Sequence, residues 1–221
     1  MRRLLVLRPE PGASVTAERA RALGFTAVTA PLFEIEPLEW DAPEAGLFDG
    51  LLLTSANAVR HSGEGLQELR GLPVYAVGEA TAEAAREAGF SVASTGDGGV
   101  DRLLGSIDQD LNLLHLCGED RRDPIEAGQR ITNVPVYRAR PLDPPDLSAA
   151  EGAVALIHSP RAGRRFAELV HERGSTIIAA ISPAGAETVG DGWAAVESAP
   201  EPNDDALLAL AARLCDKPAP K

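Results

Sequence analysis

The sequence is poor in the residues on which most cofactor-dependent or nucleic-acid-binding proteins rely. Its 221 residues include two distant cysteines and four scattered histidines, a spacing that predicts no metal site. Neither a glycine-rich nucleotide signature nor a GxSxG nucleophile motif occurs. With 4% aromatic residues and a net charge of -12, nucleic acid is not expected as a partner.

Long hydrophobic runs are also missing. The N-terminal stretch MRRLLVLRPEPG has basic residues but only four consecutive apolar ones. That run is too short for the apolar part of a signal peptide or for a membrane span. We therefore expect a cytoplasmic protein that has no membrane partner. Separately, we expect a monomer that holds no metal.

Short apolar runs alternate with helical patterns along most of the chain. Strands are predicted at 3–8, 25–31, 49–55, 73–77, 90–94, 111–118, 153–159, 176–182 and 193–198. Helices are predicted near 14–23, 56–69, 100–107, 161–173, 183–190 and 204–215, with another starting after Gly78. This alternation predicts an α/β protein with parallel sheets flanked by helices on both faces.

The two halves of the chain repeat one pattern at a fixed offset. Ser55 precedes Ser159 by 104 residues (159 − 55), and Gly78 precedes Ser182 by the same number (182 − 78). Each of these residues stands where an apolar run meets a helical pattern. The repeat predicts two pseudo-symmetric lobes.

Two proline-rich segments, 31–40 and 134–145, interrupt the alternation and read as extended strands. They bracket a block of roughly 100 residues, the size of a small domain. We interpret them as a two-stranded antiparallel bridge between the lobes. The predicted domains are 1–33 with 141–221, and 37–134, and the bridge strands are 34–36 and 135–140.

Small or hydroxylated residues mark the corners that follow predicted strands. These residues are Ser55, Gly78, Gly118, Ser159 and Ser182, with Thr54 and Thr81 beside them. Ligands of open parallel sheets bind beyond the carboxyl ends of strands, where helix N-termini offer unpaired N–H groups to anions. The alternative interpretation is that the serines and threonines only cap helices.

An ordered set of motifs resembles the uroporphyrinogen-III synthase family. The motifs are LLLTSANAV (51–59), VYAVGEATAEAAREAGF (74–90), LHLCGEDRR (114–122), VPVYRARP (134–141), ALIHSPRAGRRF (156–166) and AAISPAGAE (179–187). The resemblance implies two α/β domains joined by a two-stranded ladder, with the active site in the cleft between them. It also implies a cofactor-free lyase that cyclises hydroxymethylbilane, with loss of water and inversion of ring D.

The same resemblance implies roles for particular residues. Tyr137 matches the family's tyrosine and would assist departure of the terminal hydroxyl of the substrate as an acid; the alternative is a ring that only packs. Because the substrate carries many carboxylates, Arg8, Arg122 and Arg161 would join the corners in binding them. The charge of -12 opposes this binding at long range.

One segment departs from the family pattern. After LCGEDRRD the usual helix is reduced to PIEAGQR, which carries Pro124 and Gly128 and puts the orientation of Arg122 in doubt. A different class also fits the corners and the repeat, namely a non-catalytic two-lobed binding or sensor protein. Such a protein would need neither Tyr137 nor the CGEDRR corner.

Overall fold

The protein consists of two compact units in the computed structural model, which describes residues 2–96, 99–120, 128–143 and 145–215. The first unit combines Met1–Glu34 with Pro141–Lys221, and the second is Ile35–Arg140. One unit is built on a parallel sheet and the other on a mixed sheet, and helices flank both. The predicted α/β fold class is thereby confirmed.

Eleven strands and seven α-helices are present in the described residues. The strands are β1 (Leu4–Val6), β2 (Ala27–Thr29), β3 (Phe33–Pro37), β4 (Gly50–Leu53), β5 (Val74–Val77), β6 (Val92–Gly96), β7 (Asn112–Gly118), β8 (Arg130–Pro141), β9 (Val154–Ile157), β10 (Ile177–Ala180) and β11 (Ala195–Ser198). The helices are α1 (Gly12–Ala22), α2 (Ala56–His61), α3 (Glu79–Glu87), α4 (Val100–Gly105), α5 (Pro160–Leu169), α6 (Pro183–Glu187) and α7 (Asp204–Cys215).

The first unit contains a five-stranded sheet in the order β11-β10-β9-β1-β2, and every pairing is parallel. All residues of β1, β9 and β10 are buried. Such uninterrupted apolar strands are typical of a sheet that is covered on both faces. Helices α1 and α7 contribute to the same core through apolar residues such as Ala17 and Leu207.

The second unit contains a six-stranded sheet in the order β3-β8-β7-β4-β5-β6. The pairings from β8 to β6 are parallel. Strand β3 runs the opposite way, because Leu38 N–H donates to Val136 O (2.9 Å) whereas Leu142 N–H donates to Leu32 O (3.0 Å). The sheet is therefore mixed.

Both units share one strand order. In the second unit, β4 lies next to β5 on one side and β7 on the other; in the first, β9 lies between β10 and β1. The offset of 104 residues carries Gly50–Leu53 onto Val154–Ile157. In both sheets the order therefore reverses at one point, which is where doubly wound folds bind ligands.

The predicted helix bounds differ most from those of the structure after β4. The pattern predicts one helix over 56–69, but α2 ends at His61 and a 3-10 helix follows over Gly63–Leu69. Gly63 has φ of 63°, a conformation that stops an α-helix and that glycine adopts without strain.

The last helix begins and ends where its pattern predicts, and Asn203 Oδ1 accepts the Ala206 N–H (2.8 Å) as its cap. Across the described ranges, no helix combines the length and apolar character needed to cross a membrane.

Helices α5 and α6 approach each other closely at a glycine. A Cβ atom on Gly163 would lie 3.0 Å from the Gly185 carbonyl oxygen and would collide with the Thr188 hydroxyl.

We expect Gly163→Ala to lower the free energy of unfolding by about 1–3 kcal/mol, because the backbone carbonyl cannot move aside cheaply. Urea denaturation checks this result. Gly174→Ala in the same unit, where a Cβ meets nothing within 4 Å, is the control, and equal effects would contradict the prediction.

Candidate functional site

A pocket opens in the second unit at the carboxyl ends of β4 and β7, where the strand order reverses. Its volume is about 280 Å³. It is lined by Thr54, Ser55, Val77, Val100, Gly118, Asp120 and Tyr137. Four of these are residues that the sequence predicts as site residues, namely Thr54, Ser55, Gly118 and Tyr137.

A register shift directs Tyr137 towards this pocket. Along the β7–β8 ladder Cys117 pairs with Pro135, but Gly118 pairs with Tyr137, so one residue of β8 is skipped. Proline has no N–H for the ladder and is commonly found at such bulges. The skipped Val136 is fully buried in the core, and Tyr137 is half-buried at the pocket wall.

Glycine is required opposite this tyrosine. A Cβ atom at Gly118 would lie 2.9 Å from both Cε2 and Cζ of Tyr137, closer than real side chains approach. The phenol ring therefore packs on the bare backbone of β7. Any larger residue at position 118 would displace the ring.

Burial raises the pKa of Tyr137, the hydrogen bond with Ser55 lowers it, and Cys117 raises it; the net shift is upward from 10.0. The phenol is therefore protonated at neutral pH. A hydrogen bond lowers a phenol pKa by stabilising the phenolate, which can only accept, so Ser55 is the donor once the phenol is ionised. Ser55 Oγ meanwhile accepts the Asn57 N–H at 3.2 Å and caps α2.

The imidazole of His61 lies beside the same phenol. The two ring centroids are 6.3 Å apart, with the planes tilted by 43°. Burial, and then the charge of Arg60, lower the pKa of His61 from 6.5. Tyr137 thus has an uncharged aromatic neighbour at neutral pH.

Behind the pocket, three polar side chains form a hydrogen-bonded chain. Thr54 Oγ1 lies 3.0 Å from Nε2 of His115, and His115 Nδ1 lies 2.8 Å from Oδ1 of Asn133. His115 is 2% exposed. This chain fixes the Thr54 hydroxyl at the end of β4.

Other predicted site residues of the second unit lie away from the pocket wall. Gly78 has φ of 82° where β5 turns into α3, and its neighbour Val77 lines the pocket instead. Thr81 is 5% exposed on α3. Arg122 and the altered segment around Pro124 lie outside the described residues, so their predicted roles stay predictions.

In the first unit the predicted serines cap helices. Ser159 Oγ accepts the Ala162 N–H (3.2 Å), and Ser182 Oγ accepts the Gly185 N–H (3.3 Å). The Arg161 guanidinium lies 4.5 Å from the centre of the Phe33 ring. These contacts give each side chain a structural role, and substrate binding by them stays a prediction.

Arg8 belongs to a cluster of charged groups around Asp204, the first residue of α7. The Asp204 carboxylate lies 3.0 Å from His158 Nε2, 2.9 Å from Thr16 Oγ1 and 3.6 Å from Arg8 Nη1. Burial acts to raise the pKa of Asp204, but hydrogen bonds from His158 and Thr16 and the charge of Arg8 lower it overall. Burial lowers the pKa of His158. Arg8 thus has an acidic partner within its own unit.

Three titratable residues around the pocket are absent from the sequence-based site: Asp120, His115 and His61. Asp120 follows Gly118 in the CGED corner, and its position beyond a strand end could have identified it as a site residue. His115 is the polar residue of the otherwise apolar run LLHLC, a second usable signal. Nothing in the local pattern indicates that His61 faces Tyr137.

Among the described residues, no group of three or more His, Cys, Asp or Glu could hold a metal ion.

These features define a class: a two-unit α/β protein with a small-ligand pocket, at a topological switch point, that carries a protonated phenol. The family model described as HEM4, uroporphyrinogen-III synthase HemD, matches residues 14–209. The chain therefore belongs to the uroporphyrinogen-III synthase family.

Solved structures are similar in fold. Uroporphyrinogen-III synthetase from Helicobacter pylori 26695 matches with 19% identity and a TM-score of 0.64, over 97% of this chain and 100% of that one. A mutant uroporphyrinogen III synthase from the extremely thermophilic bacterium Thermus thermophilus matches with 19% identity and a TM-score of 0.55, over 98% and 100%. At this identity the likeness concerns the fold alone. No curated protein sequence matches this chain.

The shifted phenol can be titrated directly by tyrosinate absorbance. The wild-type curve minus that of Tyr137→Phe isolates this group from Tyr75, and we expect its midpoint above 10.0 because burial disfavours the phenolate. In Ser55→Ala the midpoint should rise further, since the donated hydrogen bond is lost. Ser159→Ala removes the equivalent cap of the first unit and should leave the midpoint unchanged. A midpoint at or below 10.0 in the wild type would refute the assignment.

The Asp204 cluster generates a prediction about acid stability. Because the folded-state pKa of Asp204 lies below 3.8, its stabilising effect is present above that pH and is lost as pH falls through the lowered value. Asp204→Asn should lower the free energy of unfolding by about 1–3 kcal/mol at pH 7, and the difference from wild type should shrink in acid. Urea denaturation at several pH values measures both effects.

The adjacent Asp205, whose side chain is 87% exposed and pairs with Arg19, supplies the control. Asp205→Asn should change stability little at any pH, since exposed ion pairs contribute little. A constant difference between wild type and Asp204→Asn down to acid pH would contradict the role given to the carboxylate.

Proposed function

We propose that the protein is a cyclising lyase that converts hydroxymethylbilane to uroporphyrinogen III, with loss of water and inversion of ring D. Membership of the family supports the tetrapyrrole substrate. The observation that carries the chemistry is the phenol of Tyr137, kept protonated in a pocket at the switch point. A cytoplasmic location and a monomeric state belong to the same proposal.

Tyr137 acts as the proton donor to the leaving hydroxyl. We assign Ser55 as the donor to the phenol oxygen, which leaves the proton of the phenol for a ligand in the pocket. As that proton transfers, negative charge grows on the phenol oxygen, and the same Ser55 hydrogen bond strengthens on the phenolate. His61 and the backbone of Gly118 hold the ring in this orientation.

The pocket admits one part of the substrate at a time. Its volume of about 280 Å³ lies below the range of sites that enclose a drug-sized ligand. We assign it to the terminal pyrrole that carries the hydroxymethyl group, because that ring must reach Tyr137. The remaining rings bind elsewhere, and the positioning of the flexible chain contributes to the rate.

Product analysis is the direct test of this function. The protein is incubated with hydroxymethylbilane, the product is oxidised, and its isomer is identified by chromatography. We expect the type III isomer. The type I isomer alone, which forms without an enzyme, would exclude the proposed function.

Tyr137→Phe tests the acid role within that function. The variant keeps the ring and its packing but has no proton to donate, so kcat should fall by about 10²-fold or less while KM is maintained. Tyr75→Phe, a change of the same kind on β5 outside the pocket lining, is the control. Full turnover by Tyr137→Phe would show that the tyrosine only packs.

A further inference from the structure

The hydrogen-bonded chain behind the pocket has a direction. Asn133 faces His115 with its carbonyl oxygen Oδ1, which can only accept, so His115 Nδ1 carries the hydrogen. We assign the imidazole as neutral, so that the other nitrogen, Nε2, has a lone pair. In this tautomer the Thr54 hydroxyl, 3.0 Å away, donates to Nε2.

This direction determines what Thr54 can offer a ligand. A hydroxyl that has given its hydrogen to His115 has only oxygen lone pairs left, so it accepts hydrogen bonds and does not donate them. A ligand carboxylate, which only accepts, cannot bond to it. A ligand N–H can.

The rest of the pocket wall matches an N–H donor in the same way. Asp120 places a carboxylate there, and none of the described lining residues is Lys, Arg or His. Tyr137 supplies a donor and Val77 and Val100 supply apolar surface. The Asp120 carboxylate can accept a hydrogen bond from a heteroaromatic N–H, whereas a ligand carboxylate has no hydrogen to donate to it.

We propose that the Asn133–His115–Thr54 chain makes Thr54 an acceptor that, together with Asp120, receives the pyrrole N–H of the substrate's terminal ring. Thr54 and Asp120 contact substrate in this assignment, and His115 is a positioning residue. The inference rests on the proposed function and adds the group of the substrate that this pocket recognises.

The arrangement suits the first chemical step. The C–O bond of the hydroxymethyl group breaks, its electron pair leaves with oxygen, and Tyr137 supplies the proton that completes a water molecule. The nitrogen lone pair conjugates into the ring as the exocyclic carbon becomes double-bonded, so positive charge grows on the N–H. An acceptor oxygen and a carboxylate at that N–H stabilise the cation more than the neutral pyrrole. The Asp120 carboxylate then takes the N–H proton, which gives the neutral azafulvene.

Nitrogen NMR of histidine side chains tests the direction of the chain without any ligand. In the full-length protein labelled with ¹⁵N, the His115 signals are identified by their loss in His115→Gln. We expect hydrogen on Nδ1 and none on Nε2. With hydrogen on Nε2, Thr54 would accept from His115 and could donate its own hydrogen to a ligand. That result would overturn the proposal.

A binding cycle tests the ligand group. The probe is a dipyrromethane with acetate and propionate side chains, compared with its N-methylated form and its ester. N-methylation should weaken binding to the wild type by about 3- to 10-fold, and Thr54→Val should weaken binding of the parent probe similarly. In Thr54→Val, N-methylation should cause a smaller loss than in the wild type, because only the contact with Asp120 remains to be lost. The control is Thr132→Val, at an exposed threonine of β8, which should retain the wild-type pattern.

The outcomes separate this inference from the function on which it rests. If the effect of Thr54→Val disappears with the ester and not with N-methylation, Thr54 binds a carboxylate and the proposal is wrong. Failure of the wild type to bind the parent probe also overturns it. When either result accompanies formation of the type III isomer, the enzyme function stands and only the assignment of Thr54 fails.

Discussion

The contact between the Tyr137 ring and the bare backbone of Gly118 is the constraint on which the pocket depends. The ring can lie there only because position 118 has no Cβ atom and because β8 skips one residue opposite it. The skipped residue, Val136, is buried in the core, so one irregularity serves both packing and the site. The phenol then reaches Ser55, which links it to the N-terminus of α2.

The repeat explains why the pocket belongs to the second unit. Shifting by 104 residues carries Thr54 onto His158 and Val100 onto Asp204 (158 − 54 and 204 − 100). In the first unit this pair is joined by a hydrogen bond of 3.0 Å, which ties the start of α7 to the end of β9. In the second unit, valine at the start of α4 cannot make such a bond, and both residues line the pocket. One copy of the corner thus stabilises its unit, and the other provides space for a ligand.

The sequence predicted the alternation of elements well, because buried parallel strands leave apolar runs and helix starts leave capping residues. It located Thr54, Ser55 and Gly118 because strand ends of a doubly wound sheet meet at one edge, whereas Tyr137 came from the resemblance to the family. It missed the break in helix 56–69, which depends on the positive φ of a single glycine. His61 was out of reach for a different reason: its contact with Tyr137 joins residues 76 positions apart (137 − 61), and no local pattern records such a contact.

The net charge of the chain and the acceptor groups in the pocket act on the substrate at different distances. A net charge of -12 repels a substrate with many carboxylates at long range, and salt screens that repulsion beyond about 10 Å. Inside the pocket screening is weaker, so the sign of the local charge matters more there. The Thr54 oxygen and the Asp120 carboxylate accept from the one part of the substrate that becomes positive as water leaves. These acceptors therefore help to select the ring orientation in which the reacting carbon faces Tyr137.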